Sequence, residues 1–139
     1  MRQATGTLEF HTPRQGLLEI TRDVTAWTAA QGMSEGLLTL FCRHTSASLI
    51  IQENAAPEVR GDIEAWVARL APEDPDAYAH DDEGPDDMPA HLRTLLTQVQ
   101  LAIPLLGGRL ALGTWQGIYL FEHRHGTPTR EIALHLIGE

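Results

Sequence analysis

The chain has 139 residues, 42 % of them apolar, and a formal charge of −9. That length suits a single domain over residues 1–139, large enough to bury about two thirds of its unfolded surface. The negative charge argues against nucleic acid as the principal partner, since phosphate backbones are bound by basic faces.

The N-terminal stretch M-R-Q-A-T-G-T-L-E-F has no signal-peptide core, and no apolar run approaches the roughly 18 residues of a membrane span. A cytoplasmic location away from membranes is expected. Thr7 to His11 and Leu17 to Thr21 read as strands, parted by a turn at Pro13 and Gly16. Asp23 to Ala30 suits a short helix, with Asp23 as N-cap and Gly32 as stop. Leu37 to Arg43 alternates, so that Leu38, Leu40, Cys42 and His44 share a face opposite Leu37, Thr39 and Phe41. Cys42 is the single cysteine, which excludes an internal disulfide and a cysteine-rich metal cage.

Ala47 to Gln52 is a further β-like run. Asn54 to Leu70 reads as a helix, with Asn54 as N-cap, Pro57 in the first turn, and Val59, Ile63, Trp66, Val67 and Leu70 at helical spacing. A helix starting at Pro89 would bury Leu92, Leu95, Leu96 and Val99. Gln100–Ile103, Arg109–Leu112, Gly117–Arg124 and Arg130–Ile137 read as antiparallel strands, turning at Gly107–Gly108 and Gly126–Thr127–Pro128. Runs of strands interrupted by helices favour an α+β fold over a doubly wound sheet.

The region between the two long helices holds the strongest chemical signal. Residues 71–91 carry eight of the nineteen acids and no Lys or Arg, leaving the rest of the chain near −1. Within Y-A-H-D-D-E-G-P-D-D-M-P-A-H, His80 and His91 bracket Asp81, Asp82, Glu83, Asp86 and Asp87. Charge this dense must be solvated, bound to a cation, or paired across a cleft. All ten basic residues are Arg, which excludes Schiff-base chemistry and a phosphate-binding lysine. Anions must therefore be met by Arg, by backbone N–H groups or by a metal.

Four other segments carry polar groups suited to a site. In H-T-S-A-S, His44 can ligate a metal or move a proton, and Thr45 and Ser46 offer hydroxyls to a phosphate; an ordinary polar strand connection is the simpler explanation. Glu53 and Asn54 precede a helix start, where a cap or a bound phosphate is at home. G-T-W-Q-G frames Trp115 and Gln116 with glycines, either as a turn with Trp115 in the core or as a pocket wall. Glu122 follows Ile118 and Leu120 on one strand face, which makes it a buried base, a metal ligand, or the partner of Arg124 or Arg130. His11, His125 and His135 read as surface or satisfied histidines. Spacing alone does not join His44, His80 and His91, so only the fold can bring them to one metal.

H-T-S-A-S-L, E-N-x-x-P, H-D-D-E-G-P-D-D-M-P-A-H, G-R-L-x-L-G-T-W-Q-G-I and the final G-E, in this order, resemble the YjbQ family, also called the secondary thiamine-phosphate synthase family. The resemblance runs from about Thr5 to Glu139. It implies antiparallel sheets packed as a sandwich or barrel with two or three helices, assembled as a homotrimer. It also implies a low thiamine-phosphate synthase activity, a transferase that joins hydroxymethylpyrimidine pyrophosphate to thiazole phosphate and releases pyrophosphate. The polar positions matching the family pattern are His44, Thr45, Ser46, Glu53, Asn54, His80, Glu83, Asp87, His91, Trp115, Gln116, Glu122 and Arg130. Three positions depart from it. Ala56 stands where the family has Asp, and Gln98 and Gln100 stand where Gly and Ser are expected.

The expected site follows from these residues. A divalent ion (Zn, Mn or Mg) would sit on His44, His80 and His91, with Glu83, Asp87 or Glu122 as further anchors or bases. Thr45, Ser46, Glu53, Asn54, Trp115, Gln116 and Arg130 would bind a small phosphorylated metabolite, with Trp115 stacked on the pyrimidine and Arg130 gripping phosphate. A histidine-rich ion site points instead to a metal-dependent hydrolase of a phosphorylated or cyclic metabolite, and a non-catalytic ligand-binding trimer is the third reading. Both enzymatic readings require folding to gather the His44 segment, the acidic segment and the Trp115 hairpin around one cavity.

Overall fold

Alternating apolar residues build two antiparallel sheets in the computed structural model, which describes residues 1–126 and 128–139. The elements are β1 (Arg2–His11), β2 (Gly16–Glu19), α1 (Thr21–Ala30), β3 (Gly36–Cys42), β4 (Ala47–Glu53), α2 (Pro57–Leu70), α3 (Asp87–Leu96), β5 (Gln100–Leu106), β6 (Arg109–Leu110), β7 (Gln116–Glu122) and β8 (Thr129–Gly138). One sheet has the order β1-β8-β3-β5-β6 and the other the order β2-β7-β4. This is the expected α+β arrangement with antiparallel sheets.

The sheets close on a shared core. Leu38 and Leu40 of β3, Leu101, Ile103 and Leu105 of β5, and Ile132, Leu134 and Leu136 of β8 meet Leu49 of β4 and Ile118 and Leu120 of β7. Each such side chain is almost fully removed from water, which stabilises by about 1.5–3 kcal/mol apiece. The far face of the smaller sheet is also covered. There Tyr119, Phe121 and Leu17 pack with Val67 and Ile63 of α2. Strand β7 is thus buried on both faces from Gly117 to Glu122. That double burial places a carboxylate in the interior, where it must find a partner.

The hairpin at Gly107–Gly108 forms as its sequence demands. Leu106 pairs with Arg109 across it, and both glycines have positive φ, 56° and 77°, as a two-residue turn between twisted strands requires. Thr127, in the expected Gly126–Thr127–Pro128 turn, lies outside the described residues.

Several element starts differ from expectation, each for a local reason. Strand β1 begins at Arg2 because β8 continues to Gly138 and pairs its whole length. Helix α1 begins at Thr21, whose hydroxyl accepts the Ile118 N–H, so Asp23 lies inside the first turn and caps nothing. Asn54 is likewise no cap. Its side chain donates to Glu19, and α2 starts at Pro57 after Ala56. Strand β6 stops at Leu110. Helix α3 begins at Asp87, not Pro89, and the face it buries carries Asp87, Pro89, Ala90 and Arg93. Leu95 and Leu96 consequently point to solvent, at 80 % and 53 % exposure. The polar face wins because Arg93 donates two hydrogen bonds to the Ala71 carbonyl and Asp87 is ion-paired.

Candidate metal centre

Asp87 and His91 stand four residues apart on α3 and therefore on one helix face. The loop before the helix brings His80 back over that face. Gly84 bends it with a φ of 99°, and a Cβ there would lie 3.2 Å from Asp86 Oδ1. His80 Nε2 lies 2.9 Å from Asp87 Oδ2, and His91 Nε2 lies 3.1 Å from the same oxygen. His91 Nδ1 is 2.9 Å from the Thr45 carbonyl.

That last contact settles the tautomer. A carbonyl only accepts, so Nδ1 carries a proton, and the ring when neutral turns a lone pair toward the carboxylate. Two lone pairs at this distance repel unless a proton or a cation lies between them. Three ligand atoms, two imidazole nitrogens and one carboxylate oxygen, thus converge within 4.8 Å of one another. An imidazole fixed through its other nitrogen by a backbone carbonyl is the usual support of a metal-binding histidine.

The carboxylate is held just as firmly. Arg124 donates from Nη1 to Asp87 Oδ1 at 2.7 Å, from Nε to Asp86 Oδ2 at 3.0 Å and from Nη2 to the Glu83 carbonyl at 2.8 Å. The His125 N–H adds a bond to Asp86 Oδ2. Burial pushes the Asp87 pKa up. The His80 bond and the charges of His91 and Arg124 outweigh it and keep the group below the usual carboxylate range. His80 is raised in return, chiefly by its bond to Asp87. The Glu83 carboxylate is exposed, with Oε1 3.9 Å from His80 Nε2.

His44 stands apart from this group. Its Nε2 accepts the Glu131 N–H at 2.8 Å, which occupies the lone pair a metal would need. Burial, then Arg130, lowers its pKa and keeps the ring neutral. Its neighbours do reach the site: Thr45 through its carbonyl, and Ser46 through Arg130, whose Nη2 donates to the Ser46 hydroxyl and carbonyl.

Glu122 is fully buried, as its strand face implied, and the salt-bridge account describes it. Arg130 donates from Nε and Nη2 to its two oxygens, and Thr12 and the Arg124 N–H complete the shell. Burial alone would raise its pKa, but these donors hold it low. With every lone pair engaged it is a poor proton acceptor, and its work is to orient Arg130.

The Trp115 hairpin is elsewhere. Strands β4 and β7 pair from Ala47↔Glu122 to Glu53↔Gln116, so Glu53, Asn54, Trp115 and Gln116 sit at the opposite end from Ser46. Six residues of strand separate the ends by about 20 Å. There the Asn54 N–H donates to the Trp115 carbonyl, and Gln116 Oε1 accepts the Gly113 N–H. Trp115 itself is 63 % exposed and so is not a core residue. The expectation of one cavity for all three segments is therefore corrected. The Thr45–Ser46 segment and the acidic loop meet, while the tryptophan hairpin does not join them.

A family model described as UPF0047 protein YjbQ-like matches residues 6–139. The chain belongs to the YjbQ/UPF0047 family. A UPF0047 protein of Synechocystis is 47 % identical over 138 residues, covering 99 % of this chain and 94 % of that one. The UPF0047 protein YjbQ of Salmonella typhimurium is 52 % identical over 99 residues, covering 70 % and 71 %. The crystal structure of a YbjQ-like protein of unknown function from Sulfolobus solfataricus shares the fold, with a TM-score of 0.90, 24 % identity and 99 % coverage of both chains.

Two polar features of this YjbQ-family chain escape motif reading. The first is Arg124 as the clamp on Asp86 and Asp87. Those partners lie 38 and 37 residues away, and no local pattern announces the pairing. The second is His123, fully buried beside Phe121 with its Nε2 2.8 Å from the Ser48 hydroxyl, which also meets Thr97. Burial, then Arg93 and Arg130, pushes its pKa down to about 3. A signal for it existed, since His123 continues the alternation of the buried Tyr119 and Phe121. Two cavities lie near the triad, one beside Arg124, the partner of Asp87, and one at His80. One, of about 330 Å³, is lined by Ser46, Arg124, His125, Pro128 and Arg130. The other, of about 350 Å³, opens on His80.

Proposed function

We propose that the chain is a divalent-metal-dependent hydrolase of a small phosphorylated or cyclic metabolite, with His80, Asp87 and His91 as the protein ligands. The observation that carries this reading is the convergence of His80 Nε2, His91 Nε2 and Asp87 Oδ2 around a point that only a proton or a cation can occupy. Two imidazoles and one carboxylate fit Zn or Mn better than Mg, which prefers oxygen ligands, and three protein ligands leave a position open. An ion held there supplies Lewis acidity to a phosphate oxygen or to an attacking water.

The remaining roles follow from position. Ser46, Arg124 and Arg130 line the neighbouring cavity and meet the phosphate. Both guanidiniums are already matched by carboxylates, so a phosphate brings uncompensated negative charge until the ion is present. Glu83, exposed beside His80, is placed to take a proton. The test is elemental analysis of the purified protein, followed by chelation, add-back of Zn or Mn, and assay on phosphomonoesters and cyclic phosphodiesters. Absence of bound metal, with no gain on addition, would remove this reading.

The thiamine-phosphate synthase reaction is the second reading, favoured by the motif resemblance and by the arginine-lined cavity, where pyrophosphate could depart toward a metal. It predicts pyrophosphate release that needs both substrates, and turnover unchanged in His91→Ala would count against it. A homotrimer belongs to the same proposal. Its support is the exposed apolar side chains of Leu37, Phe41 and Ile137 on paired strands β3 and β8, and sedimentation analysis tests it.

A further inference from the structure

The cavity that opens on His80 differs in kind from the arginine-lined one. Its walls are apolar and stiff. Pro75, Pro85 and Pro89 fix its backbone, while Tyr78 and Met88 provide its flat and polarisable surfaces. Tyr78 cannot swing away easily, because its hydroxyl donates to the Pro72 carbonyl at 2.8 Å. Among its lining residues only His80 and Asp81 carry charge near neutral pH, and none is Arg. A phosphate would face Asp81 there with no guanidinium of the pocket to meet it. The phosphate therefore belongs in the other cavity, which reaches the triad through Arg124, bonded to Asp87.

We infer that the substrate carries a flat apolar group close to its phosphate, and that this group seats against Tyr78 and Met88 while the phosphate meets the ion and Arg124–Arg130. The inference rests on the cation reading of the triad and adds the substrate class: an aryl or heteroaryl phosphate rather than a sugar phosphate or inorganic phosphate. His80 joins the two sites, being both a ligand of the proposed ion and part of the apolar wall. The stiffness of the proline-rich wall favours such a group, since little order has to be gained on binding. Contact over about 60 Å² of ring surface corresponds to about tenfold in affinity.

Calorimetric titration of the Mn-loaded full chain with phenyl phosphate and methyl phosphate tests this. Phenyl phosphate should bind about tenfold more tightly. Met88→Ala should shrink that preference to about twofold at unchanged metal stoichiometry, and Met88→Trp, which fills the cavity, should abolish it. Tyr78→Phe keeps the ring and should keep the preference. Equal binding of the two esters by the wild type, or a preference that survives both Met88 substitutions, would overturn the ring pocket while leaving the ion site standing. A separate Mn titration of the ligand-free protein showing no binding would bring down the ion site and the ring pocket together.

Discussion

The two ends of the β4–β7 strand pair hold the same kinds of residue in opposite states. At the Ala47↔Glu122 end, Glu122 is buried and bonded to Arg130 and His123 to Ser48, and the Arg124–Asp87 pair and the imidazole cluster lie just beyond. At the Glu53↔Gln116 end, Glu53, Asn54, Trp115 and Gln116 lie at or near the surface and bond mainly to backbone and to Glu19. The contrast shows that burial, more than residue type, decides what a polar group does. A buried charge must be matched on all sides, and matched charges hold neighbouring groups at defined distances. A solvated charge gains little and holds little.

Substitutions at the two ends should therefore differ widely. Glu122→Gln leaves Arg130 buried without its counter-ion and should destabilise by about 3–5 kcal/mol in denaturant titration. Glu53→Gln at the other end should cost about 1 kcal/mol or less. Comparable losses would erase the contrast. Next in size, His91→Ala should lower metal-dependent phosphoesterase turnover by about 100-fold or more, with the fold unchanged by circular dichroism.

The buried end also sets a pH dependence with a definite sign. The His123 pKa falls from the ordinary 6.5 to about 3, so below pH 6.5 the unfolded chain takes up a proton that the native one refuses. This contribution is complete above pH 6.5 and is lost as pH falls, by up to about 1.4 kcal/mol per pH unit. His44, lowered by burial, adds in the same direction. His80 acts oppositely: raised by Asp87, it stabilises fully below 6.5 and loses that effect as pH rises through its native value. Stability measured between pH 6.5 and 5 should thus fall, and His123→Gln should flatten the fall. An unchanged slope in that variant would show the ring to be solvated. The smallest effect is expected for Trp115→Ala, whose metal affinity should stay within about twofold of wild type, since a solvated aromatic away from the ligands contributes little. A large loss would mean that the far end of a neighbouring copy completes the site.

The strands were legible because alternation carries over directly to burial, as in Leu38, Leu40 and Cys42 against Leu37 and Phe41. Helix α3 was misread in facing, since counting leucines ignores the pairing of Asp87 and Arg93 that turns the polar face inward. His80, Asp87 and His91 were within reach of sequence because the loop and helix that join them are contiguous. His44 and Trp115 were not placed correctly. Their positions depend on which backbone amide meets an imidazole nitrogen and on the antiparallel register of two strands, and neither is encoded locally. Arg124 shows the same limit in reverse, as a central residue with no nearby partner to betray it.

Two imidazoles and a carboxylate are proposed to surround an ion beside α3. Anomalous diffraction at the zinc or manganese edge, from crystals of metal-loaded protein, tests it most directly. One strong peak about 2.0–2.2 Å from His80 Nε2, His91 Nε2 and Asp87 Oδ2 is the predicted result. A peak on His44 instead, or no peak beside α3, would contradict it.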